Sequence, residues 1–177
     1  VNIGFEPILA GLSQCQYDVA IAAITINEDR KKDMLFSEPY INAGQIISVQ
    51  KSNTEITGPE SLAGKKVGAQ LGTTGAIEAQ KIEGVELKTY DSYDLAFLDL
   101  ANGQIDAVIA DYPTALGFIG QNSDKLTTVG EVFTDESYGI AVCKKNTDLL
   151  KKINDGLAAI KADGTVQNLA LKWLAGQ

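Results

Sequence analysis

The sequence contains no histidine, so it lacks the commonest general base and the commonest zinc ligand. Its two cysteines, Cys15 and Cys143, are far apart along the chain and fit no metal-binding spacing. A disulfide between them stays open at this point, although two reduced or buried thiols are the interpretation we favour. We therefore expect neither a metal site nor a cofactor.

Long apolar stretches are also missing. No run approaches the roughly 18 apolar residues of a membrane span, and none combines a charged start with an apolar middle, as a signal peptide does. The sequence begins at Val1 rather than at a methionine. The lack of a signal segment therefore says nothing about export.

Basic residues are scarce relative to acidic ones. The chain has 15 Lys and Arg against 23 Asp and Glu, which gives a net charge of −8. Nucleic acids and anionic membranes attract clustered positive charge, so we expect neither as a partner. Apolar residues make up 45% and charged residues 21% of the 177 positions, a balance typical of a soluble globular protein with one domain or two small ones.

The periodicity along the chain predicts an α/β protein. Residues 19–23 are almost wholly apolar and predict a strand buried on both faces, and residues 44–50 predict another buried strand. The polar segment 51–58 after them is the first candidate for a crossing between two lobes. From residue 59 to residue 121, strand-like runs alternate with helical stripes, which is typical of βαβ units around a mainly parallel sheet.

The first strand ends in a polar stretch that places a hydroxyl and a guanidinium close together, those of Thr25 and Arg30. Asn27 is a favoured helix N-cap, and acidic residues follow it, so this stretch predicts a short helical turn. A guanidinium holds a carboxylate through two parallel hydrogen bonds, which indicates a carboxylate site. The other interpretation is a solvated surface pair of Arg30 with Glu28 or Asp29.

A second motif, Gln70-Leu71-Gly72-Thr73-Thr74-Gly75, lies between a predicted strand and a predicted helix. Its glycines permit close backbone approach, while its threonines can cap the helix and leave N–H groups pointing outward, as an anion site needs. The motif lacks the lysine of a P-loop and the glycine spacing of a dinucleotide site. An anion site and a simple helix cap both remain open.

Asp111 directly follows the predicted strand 105–110. Ligands of open α/β sheets gather at the carboxyl ends of the strands, where a carboxylate would receive a cation such as an ammonium group. The bland alternative is that Asp111 only caps the next helix. Taken together, Arg30, Thr25 and the amides of Thr73 and Thr74 suit an α-carboxylate, and Asp111 suits an α-ammonium group. These are the two charges of an amino acid.

Several segments of the chain together resemble the polar amino-acid-binding proteins of bacterial ABC importers, solute-binding family 3. These segments are AITINEDRKKDMLFSEPY, GKKVGAQLGTTG, LANGQIDAVIADYP, ESYGIAVCKKN and KADGTVQNLALKWLAG. The resemblance implies a two-lobed periplasmic-binding-protein type 2 fold with crossings near residues 46–51 and 138–144. The first lobe would comprise 1–46 and 141–177, and the second lobe 47–140.

The resemblance implies that the first lobe binds the main-chain groups of the ligand. Arg30 would clamp the α-carboxylate with help from the Thr25 hydroxyl, and the Ala23 carbonyl would accept from the ammonium group. The family's N-terminal βαβ segment, about 30 residues long, has no counterpart in this sequence, so we expect this lobe to be incomplete. Its exposed strand edges would invite pairing with a second chain, as in a homodimer.

The resemblance implies that the second lobe completes the same site. Thr73 and Thr74 would complete the carboxylate site, and Asp111 would neutralise the ammonium group. Gln70 lies where the family often places a side chain that reads the ligand's own side chain. Because Gln70 is polar but uncharged, the sequence leaves glutamine, cystine, arginine and related ligands open.

The expected function is that of a non-catalytic extracytoplasmic protein that binds a polar L-amino acid between its lobes and delivers it to the membrane subunits of an ABC importer. It would be periplasmic or extracellular, with a lipid anchor left open. One alternative is an enzyme similar to cyclohexadienyl dehydratases, with Glu38 or Glu136 as the proton donor. The other alternative is the ligand-binding ectodomain of a sensor or receptor.

Overall fold

The computed structural model describes residues 3–174. In chain order its strands are β1 (Val19–Thr25), β2 (Met34–Phe36), β3 (Ile41–Ala43), β4 (Gln45–Gln50), β5 (Lys66–Gln70), β6 (Glu86–Tyr90), β7 (Ala107–Asp111), β8 (Leu126–Val129) and β9 (Glu136–Cys143). Its helices are α1 (Phe5–Ser13), α2 (Glu28–Lys31), α3 (Thr74–Lys81), α4 (Tyr93–Ala101), α5 (Tyr112–Gln121), α6 (Thr147–Ala162) and α7 (Thr165–Leu174).

These elements divide into two compact units. Unit 1 comprises residues 3–43 and 136–174, and unit 2 comprises residues 44–135. The lobe boundaries expected from the sequence stay a prediction, and the ends of the expected first lobe, residues 1–2 and 175–177, lie outside the described residues.

The chain passes between the units slightly earlier than the sequence indicated. It leaves unit 1 at residues 43–44 and returns to it at residues 135–136. The polar segment 51–58 lies wholly inside unit 2, so the prediction that it crosses between lobes is wrong. A polar, turn-rich composition marks a solvated loop, but it does not distinguish a loop within one unit from a connection between two.

The sheet of unit 1 is organised around β9. Strands β1, β2 and β3 each pair with β9 in antiparallel orientation. Helix α1 covers one face of this sheet, and the core between them is built from Leu12, Ile24, Met34 and Ala141. Leu12 and Ile24 are completely buried.

Strand β1 is only half-buried, so the prediction that it is buried on both faces is wrong. Ala20, Ala22 and Ile24 point to the face that packs against α1. Val19 and Ile21 point to the opposite face and are 41% and 67% exposed. Within residues 3–174, β1 pairs with β9 alone. A run of apolar residues shows that both faces tolerate burial, but the neighbouring elements decide whether both are covered.

Cys15 and Cys143 form a disulfide bond, which corrects the expectation of reduced thiols. Helix α1 ends at Ser13, and the chain then turns through a left-handed conformation at Cys15, where φ is 55°. This turn brings Cys15 to the end of β9, and the two Cα atoms lie 5.0 Å apart. The pairing joins residues 128 positions apart, so spacing along the sequence carried no sign of it.

The sheet of unit 2 has the strand order β6-β5-β7-β4-β8. Strand β5 pairs in parallel with β6 and with β7, as the βαβ pattern predicts. Strand β4 is antiparallel to both β7 and β8, so the sheet is mixed rather than mainly parallel. Periodicity identifies a strand, but it does not give the direction in which the strand runs beside its neighbours.

Helices cover both faces of this second sheet. One core cluster includes Tyr93 and Phe97 of α4 and packs α4 and α5 against the sheet. The other includes Leu62, Val67 and Ala79 and lies under α3 and the 3-10 turn at Pro59–Ser61. None of the described helices is both long and apolar enough to cross a membrane.

Candidate functional site

Asp111 lies at the carboxyl end of β7 and is only 7% exposed. Its partner across the antiparallel β4–β7 ladder is Gln45, whose side-chain amide donates to the Asp111 carboxylate. The same Gln45 Nε2 donates to the Thr74 hydroxyl at 3.1 Å. Within residues 3–174 the Asp111 carboxylate makes no capping hydrogen bond to α5, so its side chain gives the capping interpretation no support.

The Gly72-Thr73-Thr74 turn follows β5 and begins α3. Gly72 has a φ of 79°, a conformation that glycine adopts without strain. Thr73 caps α3: its hydroxyl accepts from the Ala76 N–H at 3.3 Å and donates to the Gln70 carbonyl at 2.7 Å. The Thr73 N–H also donates to the Gln70 backbone carbonyl, at 3.3 Å. The cap interpretation is thus confirmed for Thr73, whereas the anion-site interpretation stays a prediction.

Gln70 ends β5, the parallel neighbour of β7, so its turn and Asp111 lie at the same edge of the unit 2 sheet. The Gln70 side-chain amide donates to the Asp91 carbonyl at 2.9 Å. This contact holds the side chain at the edge, where it remains half-buried. The structure thus brings Gln70, Thr73, Thr74 and Asp111 together on one edge of unit 2.

Arg30 and Thr25 lie together in unit 1, joined through the backbone. The Arg30 guanidinium donates to the carbonyl of Thr25 at 2.8 Å, and Thr25 is 3% exposed. The Asn27 side chain caps α2 by accepting from the Arg30 N–H at 2.8 Å. The guanidinium carbon also lies 5.6 Å from the centre of the Phe5 ring. The Thr25 carbonyl and the Phe5 ring therefore position the guanidinium, and Asn27 fixes the backbone of Arg30.

The acidic neighbours of Arg30 have other partners on the helix surface. Glu28 pairs with Lys31 at 2.7 Å, and Asp29 pairs with Lys32 at 2.5 Å. Lys32 lowers the pKa of the Asp29 carboxyl through this hydrogen bond. Both pairs are solvent-exposed, where such contacts add little stability. Glu28 and Asp29 thus form surface pairs with Lys31 and Lys32, and a surface pair of either with Arg30 stays a prediction.

Ala23 occupies an unusual backbone position in β1. Its φ is 51°, a conformation that residues with a side chain adopt at a cost of about 1–2 kcal/mol. It lies where the β1–β9 register shifts between Ala20 and Ile24. Burial raises the pKa of the neighbouring Tyr40, and a hydrogen bond with the Ala23 backbone opposes that rise. Local irregularities of this kind redirect backbone groups and recur beside functional sites.

Gln45 bonds to two of the candidate site residues, and the sequence did not single it out. It lies in a segment interpreted only as a buried strand, and its two polar partners are 29 and 66 residues further along the chain. A glutamine at the start of a predicted buried strand was the available signal. Among residues 3–174, no group of three or more Cys, Asp or Glu is arranged to hold a metal ion.

Comparison with known proteins relates this chain to one protein family. Residues 1–176 match the family model described as bacterial extracellular solute-binding proteins, family 3. The L-cystine-binding protein TcyJ of Escherichia coli K12 is 39% identical over 171 residues, which are 96% of this chain and 64% of that protein. The ABC transporter arginine-binding protein 1 of the same organism is 37% identical, and the match covers 97% of this chain and 72% of that protein.

A solved structure is similar to this chain in both fold and sequence. An ancestral arginine-binding protein bound to arginine is 44% identical, with a TM-score of 0.92, and the match covers 98% of this chain and 78% of that one. The expected two-lobed α/β fold and the resemblance inferred from the sequence are confirmed. The chain spans less than two thirds of the length of the L-cystine-binding relative. It belongs to the bacterial extracellular solute-binding proteins of family 3.

Proposed function

We propose that this chain is part of an extracytoplasmic solute-binding protein that binds a polar L-amino acid and delivers it to the membrane subunits of an ABC importer. Arg30 and the Thr25 hydroxyl take the α-carboxylate, with Thr73 and Thr74 completing that end. Asp111 and the Ala23 carbonyl take the α-ammonium group. Gln70 contacts the ligand's side chain.

The proposal rests on one observation: two oppositely charged side chains, Arg30 and Asp111, are already held in place by neighbouring residues. The Arg30 guanidinium is held by the Thr25 carbonyl and the Phe5 ring. The Asp111 carboxylate is almost fully buried and held by Gln45. Holding charged groups in place before the ligand arrives lowers the entropy cost of binding. A zwitterion supplies the complementary charge for each.

The names of the relatives support an amino acid as the ligand class. They are named for binding L-cystine and arginine, and the ancestral structure contains arginine. Both amino acids have polar side chains, which suits the uncharged polar Gln70. The family's description as extracellular supports a place outside the cytoplasm. We propose a periplasmic or extracellular location. The protein would be either free or attached to the cell membrane through a lipid anchor.

The direct test is calorimetric titration of the natural full-length protein with the standard L-amino acids and L-cystine. We expect one or a few polar amino acids to bind with micromolar or tighter affinity and the apolar ones not to bind. Titration of D-enantiomers is the control, because a site that fixes the α-ammonium group, the α-carboxylate and the side chain together discriminates chirality. Failure of every amino acid to bind overturns the proposal.

The enzymatic alternative gains no support from its two candidate acids. Glu38 is exposed, and its backbone N–H is bonded to the Asn154 side chain. Glu136 begins β9, where its ladder partner is Ala43. Neither residue is placed in an acid–base pair by these contacts. Turnover of prephenate or arogenate by the purified protein would reinstate the enzyme.

An apolar groove on unit 1 supports the proposal that two copies of the chain pair. Side chains from β1, α6 and α7 line it, including Ile21, Ile160, Leu169 and Trp173. These four are between 41% and 67% exposed, and exposed apolar surface of this kind often marks an interface. A second copy would bury it.

The mass in solution tests the pairing. Light scattering after size exclusion is expected to give a dimer, and Trp173→Ser is expected to give a monomer. Leu98→Ser is the control, since Leu98 is 56% exposed but lies on α4 of unit 2. A wild-type monomer across the micromolar range overturns the pairing and leaves the amino-acid proposal unaffected.

A further inference from the structure

Gln45 is a completely buried amide whose donor group contacts two of the polar residues assigned to the ligand. An amide NH2 group carries two hydrogens. In this structure one acceptor is the Thr74 hydroxyl, at 3.1 Å, and the other is the Asp111 carboxylate. One side chain thereby links a residue assigned to the α-carboxylate with the residue assigned to the α-ammonium group.

The backbone around Gln45 is fixed on both sides. Its N–H donates to the Thr134 hydroxyl at 2.8 Å, and its carbonyl accepts from the Phe133 N–H at 3.0 Å. The ladder with β7 places Gln45 directly opposite Asp111. The amide therefore starts from a rigid strand and reaches Asp111 across a single strand spacing.

The start of α3 lies close to the Gln45 amide because Gly75 has no side chain. A methyl group on Gly75 would lie 2.9 Å from Gln45 Oε1 and 2.8 Å from the Ile109 carbonyl, closer than side chains normally pack. The absence of a side chain at Gly75 lets the first turn of α3 lie against Gln45, which puts Thr74 within reach of the amide.

This geometry points to Gln45 as a positioning residue for ligand binding: its amide sets the orientation of the Asp111 carboxylate and the Thr74 hydroxyl. The inference rests on the proposed function. An N–H donor stabilises a buried carboxylate and restricts its rotation, so the carboxylate meets an ammonium group without having to reorganise. Gln45 itself contacts Asp111 and Thr74, not the ligand.

The test compares Gln45→Met with Gln50→Met. Methionine keeps the length and approximate volume of glutamine but offers no N–H donor. Gln50 lies at the other end of β4, and its amide donates to the Ala101 carbonyl at 3.3 Å, so it is a matched control remote from Asp111. Folding of each variant is checked by thermal unfolding before any titration.

The probes are L-arginine, L-glutamine and L-cystine, each paired with its analogue without α-amino groups: 5-guanidinopentanoic acid, glutaramic acid and 3,3′-dithiodipropionic acid. The pair that wild type binds best is used for the variants. We expect Gln45→Met to weaken binding of the amino acid about 10- to 100-fold, since a disrupted charged hydrogen bond costs that much. Binding of the analogue should weaken by a clearly smaller factor, because it keeps the carboxylate assigned to Thr74 but carries no ammonium group for Asp111.

Gln45→Glu provides a second variant and a pH readout. At pH 8 it places a carboxylate against Asp111, and the two charges repel each other. At pH 5.5 such a pair shares a proton, and a hydrogen bond re-forms. We expect the variant to bind the amino acid at least about tenfold better at pH 5.5 than at pH 8, since repulsion between adjacent carboxylates is worth more than one pKa unit. Wild type should change little over that range.

Two results overturn the inference alone. One is a folded Gln45→Met variant that binds the amino acid within twofold of wild type. The other is loss of affinity for the amino acid and its analogue by the same factor, which indicates a purely structural role. A wild-type protein that binds no amino acid overturns the proposed function and this inference with it.

Discussion

Cys15 and Cys143 join the turn after α1 to the end of β9, closing a covalent loop between residues 128 positions apart. Both residues belong to unit 1. The bond ties α1, which covers one face of the unit 1 sheet, to the strand on which β1, β2 and β3 all assemble. The link therefore holds a helix to the central strand of unit 1.

Replacing both cysteines with serine is expected to destabilise unit 1. Closing a loop of this length restricts the unfolded chain by up to about 5 kcal/mol, and observed losses fall between about 2 and 5 kcal/mol. Urea unfolding followed by the fluorescence of Trp173, the one tryptophan of the sequence, reports on this unit. Dithiothreitol should lower the midpoint of wild type and leave that of the double variant unchanged. Equal midpoints for wild type and variant would contradict the prediction.

Arg30→Ala is expected to weaken amino-acid binding by about 30-fold or more, because truncating one partner of a hydrogen-bonded charge pair costs about 2–5 kcal/mol. Arg30→Lys should recover only part of the loss, since an ammonium group does not form two parallel bonds to a carboxylate. Lys32→Ala is the control: it removes a positive charge from the end of the same helix, where the side chain is exposed and pairs with Asp29. Titration calorimetry distinguishes them, and equal effects of Arg30→Ala and Lys32→Ala would refute the clamp.

Asp111→Asn is expected to abolish measurable binding of the amino acid while leaving the fold intact. The asparagine keeps an oxygen that can accept from Gln45, and the variant no longer buries a charge at this position. Its melting temperature should therefore stay within about 3 °C of wild type or rise. Asp106→Asn is the control. Asp106 lies near the opposite end of the same strand, and its carboxylate accepts from the Lys66 N–H. Retained affinity in a folded Asp111→Asn variant would exclude Asp111 from the site.

Ala23→Gly is expected to stabilise unit 1 by about 0.5–1 kcal/mol, because glycine adopts a positive φ without the strain that alanine carries there. Ala22→Gly is the matched control at the adjacent position of β1, where φ is not positive. It should destabilise by about 0.5–1 kcal/mol. Urea unfolding should therefore show a gain in the free energy of unfolding for Ala23→Gly and a loss for Ala22→Gly. Destabilisation of the same size by both would show that Ala23 is not strained.

Stability at alkaline pH is expected to depend on Tyr40. Burial raises the pKa of this phenol above its ordinary value, so the unfolded chain releases the proton at a lower pH than the folded chain does. The folded state is therefore favoured below about pH 10 and loses that advantage as the pH rises through the folded pKa. Tyr40→Phe should show a smaller loss of stability between pH 9 and pH 11, measured by thermal unfolding. Identical pH profiles would contradict the prediction.

Much of the site was predictable from residue chemistry and position. The predicted strand before Asp111 corresponds to β7, and the Gly-Thr-Thr turn follows β5, as predicted. Both features are local, since a strand end and a helix start are encoded within a few residues. The role of Thr73 was ambiguous for the same reason: a hydroxyl at a helix start serves as a cap and as part of an anion site alike.

What the sequence determined by itself is the family, the alternation of strands and helices, and the charged groups suited to an amino acid. The tertiary structure decided which groups meet: Gln45 with Asp111, and Cys15 with Cys143. It also decided that Ile21 is exposed and that β4 runs antiparallel to β7. The physical reason is that periodicity and propensity arise from neighbours along the chain. Strand register, strand direction and burial arise from contacts between residues tens of positions apart, and no local pattern specifies them.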